Sequence, residues 1–223
     1  MGNPHVSWLS PDKYIKDIIW DDLLEASQYA HGSLLDIGCG KKPYKEIFAD
    51  KIKEHIGIDN NSLEADIKDD FYKTKIRSNS FDTVLLTQVL EHIAYPEVFL
   101  KKVRRILKKG GILISTVPFI GSLHEVPTDY YRFTRYGIQK LFESTGFKII
   151  IIREEGNWLS SIGQHLSFYF DLNYNRFGIK YIKQCLQLLM TFLLKLTDLM
   201  PKKIKKKELS PLNYVVVAKN AKK

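Results

Sequence analysis

What this sequence of 223 residues lacks narrows its function before any motif is read. It has only two cysteines, Cys39 and Cys185, so no disulfide framework is expected and a reducing compartment suits it. No apolar run is long enough for a membrane span, and no apolar stretch of the secretory kind follows the start. The cytoplasm is the expected location. Residues 1–155 have no charge excess: 22 Lys/Arg stand against 22 Asp/Glu. The whole net charge of +9 falls in residues 156–223, with 12 basic and 3 acidic side chains. A nucleic-acid enzyme would spread basic surface around its site, so a nucleic-acid partner is not expected. The glycine loop "LLDIGCGKKPY", residues 34–44, also lacks two things. It has no Gly-Lys-Ser/Thr ending, which excludes a nucleoside-triphosphate P-loop. Pro43 stands where a dinucleotide fingerprint would carry its third glycine.

What is present is an alternation of strand-like and helix-like runs. A helix with an apolar stripe is predicted over residues 12–29, then a strand at "SLLDIG" and a short helix at "PYKEIFA". "EHIGID" and "SFDTVLL" read as strands. "YPEVFLKKVRRILKKGG" reads as a helix closed by Gly-Gly, with Phe99, Leu100, Val103, Ile106 and Leu107 on its buried face. The strand "ILISTVP", the helix "RYGIQKLFESTGF" and the strands "KIIIIRE" and "LNYVVVAK" complete the series. This β-α-β order predicts an α/β fold, a Rossmann-like three-layer sandwich with a mostly parallel sheet. Residues 1–155 and 212–223 are assigned to that domain, and the basic segment 156–211 to a helical insertion before the last strand.

In such sheets the ligand lies beyond the carboxyl ends of the strands, where the strand order reverses. Asp36 precedes the first glycine, and its carboxylate would repel a phosphate and attract an ammonium group. Asp59 ends the second strand, 19 residues after Gly40, where a carboxylate can accept both hydroxyls of a ribose. Asp66-Ile67 offers an acceptor beside an apolar side chain, suited to an adenine. An amine, a ribose and an adenine without phosphate describe S-adenosyl-L-methionine.

On "LLDIGCGKKPY", "IGIDNN", "ADI", "SFDTVLLTQVLEHI" and "GGILISTVPF", in order and spacing, the chain resembles the class I S-adenosylmethionine-dependent methyltransferases. The resemblance covers residues 33 to 155 and the last strand. It implies a seven-stranded sheet with the last strand antiparallel. It also implies a cofactor site of Asp36, Gly38, Cys39, Gly40, Asp59, Asn60, Asp66, Ile67, Gln88 and Val89, with S-adenosyl-L-homocysteine as product. The family pattern carries a third glycine near position 42, where this chain has lysines.

The acceptor side falls on "VPFIGSLHEVPTDYYRFTRYGIQKLFESTGF", which packs titratable and aromatic residues densely after a strand, with Thr134 as a helix N-cap. The phrase "HE.P.DYYRFT" is similar to methyltransferases of bacterial surface-glycan synthesis. An alcohol acceptor needs its proton removed by a group titrating near neutrality. His124 is the first choice of base, with Glu125 or Asp129 orienting it and His92 as the alternative. Asp129, Tyr130, Tyr131 and Arg132 shape the acceptor pocket. Glu91 with His92 also reads as a structural pair that fixes the loop. No metal is expected.

The resulting expectation is a methyltransferase acting on a small molecule or glycan precursor, at oxygen. A lipid-linked or quinone-like acceptor and a non-catalytic cofactor-binding regulator are the alternatives. Residues 179–207 combine an amphipathic helix, with Lys180, Lys183, Gln184, Gln187, Thr191, Lys195 and Asp198 on its polar stripe, and the basic run "KKIKKK". They read as a lid that contacts an anionic membrane surface at the inner face, a dimer partner, or the chain's own domain.

Overall fold

The computed structural model describes residues 3–174, 180–198 and 210–221. Six strands form one sheet: β1 (Ser33–Ile37), β2 (Glu54–Ile58), β3 (Phe81–Thr87), β4 (Leu107–Pro118), β5 (Phe147–Glu155) and β6 (Asn213–Asn220). The helices are α1 (Lys13–Ala26), α2 (Lys45–Phe48), α3 (Pro96–Ile106), α4 (Arg135–Ser144), α5 (Trp158–Tyr174) and α6 (Lys180–Asp198). The chain clusters into two compact units. One comprises residues 23–118, 123–153 and 214–223, and the other residues 1–22, 119–122 and 154–213.

The first unit carries the sheet, in the order β2-β1-β3-β4-β6-β5. β1 pairs in parallel with β2 and β3, and β3 with β4, while the last strand is antiparallel. Strands buried on both faces need continuous apolar runs, and β3 has one: Val84, Leu85 and Leu86 are fully buried. α3 covers the sheet with Phe99, Leu100, Val103 and Ile106, as its pattern requires. Its end differs from the expectation. Leu107 already pairs with Phe81, and an irregularity between Phe81 and Thr83 lets residues 108–111 run on as strand. Gly110 makes that possible with a φ of 78°.

Among the described residues the expected seventh strand is absent, and a single parallel bridge between Ile58 and Ile67 stands beside β2. Residues 68–70 are Lys-Asp-Asp, and a strand buried on both faces has no place for three consecutive charges. β1 lies between β2 and β3, so the order reverses there and opens a crevice at the strands' carboxyl ends.

In the second unit, Tyr14, Leu194 and Leu212 form a buried cluster with Ile15 and Ile18 packed against it. α5 and α6 approach so closely at Gly163 that a Cβ there would lie 2.3 Å from Leu194. Two members of the polar stripe of α6 turn inward. Thr191 is buried, and Lys195 Nζ lies 2.8 Å from Asp17 Oδ2 and 4.3 Å from the Trp8 ring. Leu188, Leu189, Phe192, Leu193 and Leu196 are instead 42–57% exposed. Asp17 supplies the reason. Its carboxylate also binds Lys13 at 2.5 Å, so a buried acid is neutralised by two cations and α6 must rotate to deliver one. The basic run 202–207 lies outside the described residues, as do residues 179, 199 and 200 of the predicted helix. Among the described residues no helix is long and apolar enough to cross a membrane.

Candidate functional site

The loop after β1 is shaped for close approach by a ligand. Gly38 and Gly40 have φ of 70° and 50°, values that disfavour side chains. A Cβ on Gly38 would lie 2.7 Å from Val89, so the loop and the turn after β3 are packed backbone to side chain. A Cβ on Gly40 would meet nothing within 4 Å. That open face of backbone is where a ligand can lie.

Lys42 resolves the missing third glycine. It adopts φ 53° itself, a strained choice for a side-chain residue. Its Nζ binds Asp66 Oδ2 at 2.6 Å, and its Cε and Cys39 Sγ occupy the space a Cβ on Gly57 would take. Lys42 and Gly57 were not picked out from sequence. The two lysines after Gly40 were the available signal.

Asp59 holds the loop in place. Gly40 N–H donates to Oδ2 at 3.0 Å, and the N–H groups of Asn61 and Ser62 donate to Oδ1 at 2.8 and 2.9 Å. A carboxylate offers about four acceptor directions, so three are taken and one remains for a ribose hydroxyl. Clamping both hydroxyls therefore requires one loop amide to let go. Asn60, beside it, is exposed. Asp66 Oδ2 accepts from Gly57 N–H and from Lys42, both at 2.6 Å, and these contacts hold its carboxyl below the usual range. Ile67 donates its N–H to the Gly57 carbonyl at 3.0 Å and is half-buried. Gln88 takes φ 55° and anchors to Thr116 through its backbone N–H and Nε2, each at 3.1 Å.

Asp36 is a correction. Its carboxylate does not point at a ligand ammonium but lies within the sheet, 3.1 Å from His55 Nε2 on β2, with both side chains about 95% buried. Burial pushes its carboxyl above the usual range, against the pull of His55. Burial also pushes the Cys39 thiol up, to about 12, reinforced by Asp36 and Asp59. A thiol held so high is a poor nucleophile, and Cys39 is buried in the loop.

The acceptor-side residues converge on the 3-10 turn Leu90–His92 after β3. Tyr130 and Tyr131 donate their N–H groups to the Glu91 carbonyl at 2.9 and 3.2 Å, and the Tyr131 hydroxyl reaches Ala94 O at 2.9 Å. His92 Nδ1 lies 3.1 Å from Thr128 O, and the His92 and His124 rings meet edge-on at 4.8 Å. Asp129 is the residue that orients His124. Its Oδ2 accepts from the His124 N–H at 3.0 Å and lies 3.4 Å from Nδ1, while Arg132 grips both its oxygens at 2.6 and 2.7 Å. The Arg132 pair holds the Asp129 carboxyl far below its usual range. Glu125 faces the other imidazole, with Oε2 3.8 Å from His92 Nε2. Tyr130 remains half-exposed, and Tyr131 stacks on Phe133. Thr134 caps α4 by accepting from Gly137 N–H at 3.1 Å.

Glu91 turned out more unusual than its sequence suggested. Its side chain is completely buried, and neither carboxylate oxygen has a hydrogen-bond partner. Desolvation pushes its carboxyl up to about 8.

Residues 35–115 match the family model described as a methyltransferase domain. Over 125 residues the chain is 34% identical to an uncharacterized protein of Methanocaldococcus jannaschii, covering 52% of this chain and 55% of that one. The chain thus spans about half the length of this curated relative. A methyltransferase structure from Archaeoglobus fulgidus, named for its dependence on S-adenosylmethionine, superposes with a TM-score of 0.59 at 18% identity, covering 93% and 96% of the two chains. The cyclase SpnF superposes with a TM-score of 0.64 at 18% identity, covering 98% and 86%. These likenesses are of fold, and the fold evidently serves more than one reaction. Residues 35–115 thus carry a methyltransferase-domain match, on a fold shared with these solved structures.

Proposed function

We propose that this chain transfers a methyl group to a hydroxyl oxygen of a small molecule or glycan precursor, with the acceptor seated over His92 and His124. The observation that carries the reading is the convergence of His124, Asp129 and Arg132 on the turn that bears Glu91 and His92. The cofactor supplies a methyl group made electrophilic by its sulfonium. In this reading Gly38, Gly40, Asp59 and Val89 hold S-adenosyl-L-methionine, and the open backbone face at Gly40 supports that placement. The protein's remaining work is to align the acceptor oxygen with the methyl and to take its proton. His124 is the base in this reading, and Asp129 Oδ2 at 3.4 Å from its Nδ1 supports the role by restraining the ring. Tyr130, Tyr131, Arg132 and Glu125 border the acceptor. Replacing His124 by Ala is expected to lower turnover on an alcohol acceptor 100-fold or so, with S-adenosylhomocysteine affinity within about twofold of the parent. Full activity in the variant would remove His124 from the chemistry. Cofactor binding without turnover on any alcohol or amine would favour the regulatory alternative.

One observation favours a lipid-linked acceptor as the second reading. The outward face of α6 is apolar, and in the same unit Trp158, Ile162, Leu166 and Tyr169 line an open groove of about 660 Å³. Apolar surface of this kind, followed in sequence by "KKIKKK", suits an anionic bilayer. Sedimentation with anionic and neutral vesicles tests it. Binding confined to anionic vesicles and abolished by Leu189→Glu with Phe192→Glu supports it, and no binding at low salt ends it.

A further inference from the structure

We propose that Glu91, His92 and His124 form a divalent-cation site, of the two-imidazole, one-carboxylate kind, at the acceptor end of the crevice. One ligand atom from each lies within 4.8 Å of the others. Glu91 is the decisive residue. A completely buried carboxylate whose oxygens have no side-chain hydrogen-bond partner is costly to keep, and the charge of nearby Arg132 and the chain's own backbone only partly offset that cost. Arg132 is the natural counter-charge, but its guanidinium is committed to both oxygens of Asp129. The histidines alongside are arranged as metal ligands are. The Thr128 carbonyl can only accept, so His92 Nδ1 carries its hydrogen and Nε2 presents a lone pair. That nitrogen is 3.9 Å from Glu91 Oε1 and 3.8 Å from Glu125 Oε2. Asp129 backs the His124 ring as carboxylates back metal-bound imidazoles. Tetrahedral ligands at about 2.1 Å from an ion sit about 3.4 Å from one another, so the three atoms must close by at most roughly 1.4 Å. Glu125, on the exposed loop, can supply a fourth oxygen.

The donor set favours a borderline ion such as zinc, with cobalt as its spectroscopic substitute, over calcium or magnesium. Its role rests on the O-methylation reading above. An acceptor hydroxyl bound to the ion becomes more acidic and loses its proton to water. The oxygen lone pair then forms the new bond to the methyl carbon, and the carbon–sulfur pair returns to sulfur as a neutral thioether. With the ion bound, His92 and His124 act as its ligands and the acceptor proton leaves to water, whereas His124 is the base in the metal-free protein.

The test uses the full chain, freed of metal by chelator and titrated with Zn²⁺ by calorimetry and with Co²⁺ by visible absorption. About one equivalent should bind with a Kd of about 10 μM or tighter, and Co²⁺ should show the intense ligand-field bands of a four- or five-coordinate ion. Glu91→Gln keeps the shape of the side chain and removes the ligating carboxylate, so it should fold, and it should weaken binding at least 100-fold. His124→Ala, on the exposed loop, should do the same. His165→Ala, in the other unit, should change nothing. Binding weaker than about 1 mM, or binding unchanged in both Glu91→Gln and His124→Ala, overturns the proposal. S-adenosylhomocysteine binding is measured on the same samples, so loss of the cation site and failure of the methyltransferase reading are separable.

Discussion

Replacing Asp59 by Ala separates two roles that the structure gives one carboxylate. The side chain accepts three backbone N–H groups, from Gly40, Asn61 and Ser62. A hydrogen bond to a charged group contributes about 1.5–3 kcal/mol net, and the half-exposed setting puts each at the low end or below it, because water can replace the lost oxygen. The variant should therefore lose about 2–4 kcal/mol without any ligand present. For a chain of this size that lowers the melting temperature by roughly 5–12 °C. With the loop released and the remaining acceptor direction gone, S-adenosylhomocysteine should bind at least about 30-fold more weakly, a loss of about 2 kcal/mol. Differential scanning calorimetry and titration calorimetry on the same preparations measure both effects. Asp59→Asn retains one carbonyl oxygen and should fall between the parent and the alanine variant on both scales. An unchanged melting temperature combined with weaker ligand binding would refute the loop-holding role. A lower melting temperature with unchanged affinity would remove Asp59 from the cofactor site.

Asp36→Asn tests the buried pair with His55. Because the native carboxyl is raised above its unfolded value, folding takes up a proton in the window between the two, and the parent loses stability as pH rises through that window. The asparagine variant should lack this slope and equal or exceed the parent by about 1 kcal/mol at pH 8 in urea denaturation, whereas a loss of several kcal/mol there would show the pair to be net stabilising. Cysteine labelling should divide the two thiols: at pH 8 an aromatic disulfide reagent should modify exposed Cys185 and leave buried Cys39, pushed up to about 12, intact until denaturant is added. Rapid labelling of Cys39 in the folded protein would mean that the glycine loop opens.

The sheet was legible because its strands are buried on both faces. "SLLDI" and "FDTVLLT" are runs of apolar and β-branched residues bounded by turn residues, and that pattern survives any tertiary context. The glycine loop was legible for a similar reason, since a positive φ at Gly38 and Gly40 admits few other residues. Local sequence also set the cap at Thr134 and the buried face of α3. What the sequence could not decide was where each polar side chain spends its hydrogen bonds. The partners come from distant segments: Asp36 finds His55, 19 residues on, and Lys195 finds Asp17. Such pairings reversed the reading of Asp36 from ligand contact to sheet interior and turned part of the polar stripe of α6 inward. The same holds for Glu91. Sequence offered a Glu-His pair, but only the loop folding back through Tyr130 and Tyr131 seals its carboxylate from water beside two imidazoles. Periodicity and backbone geometry are local properties of the chain, whereas desolvation and charge pairing depend on residues brought together only when it folds.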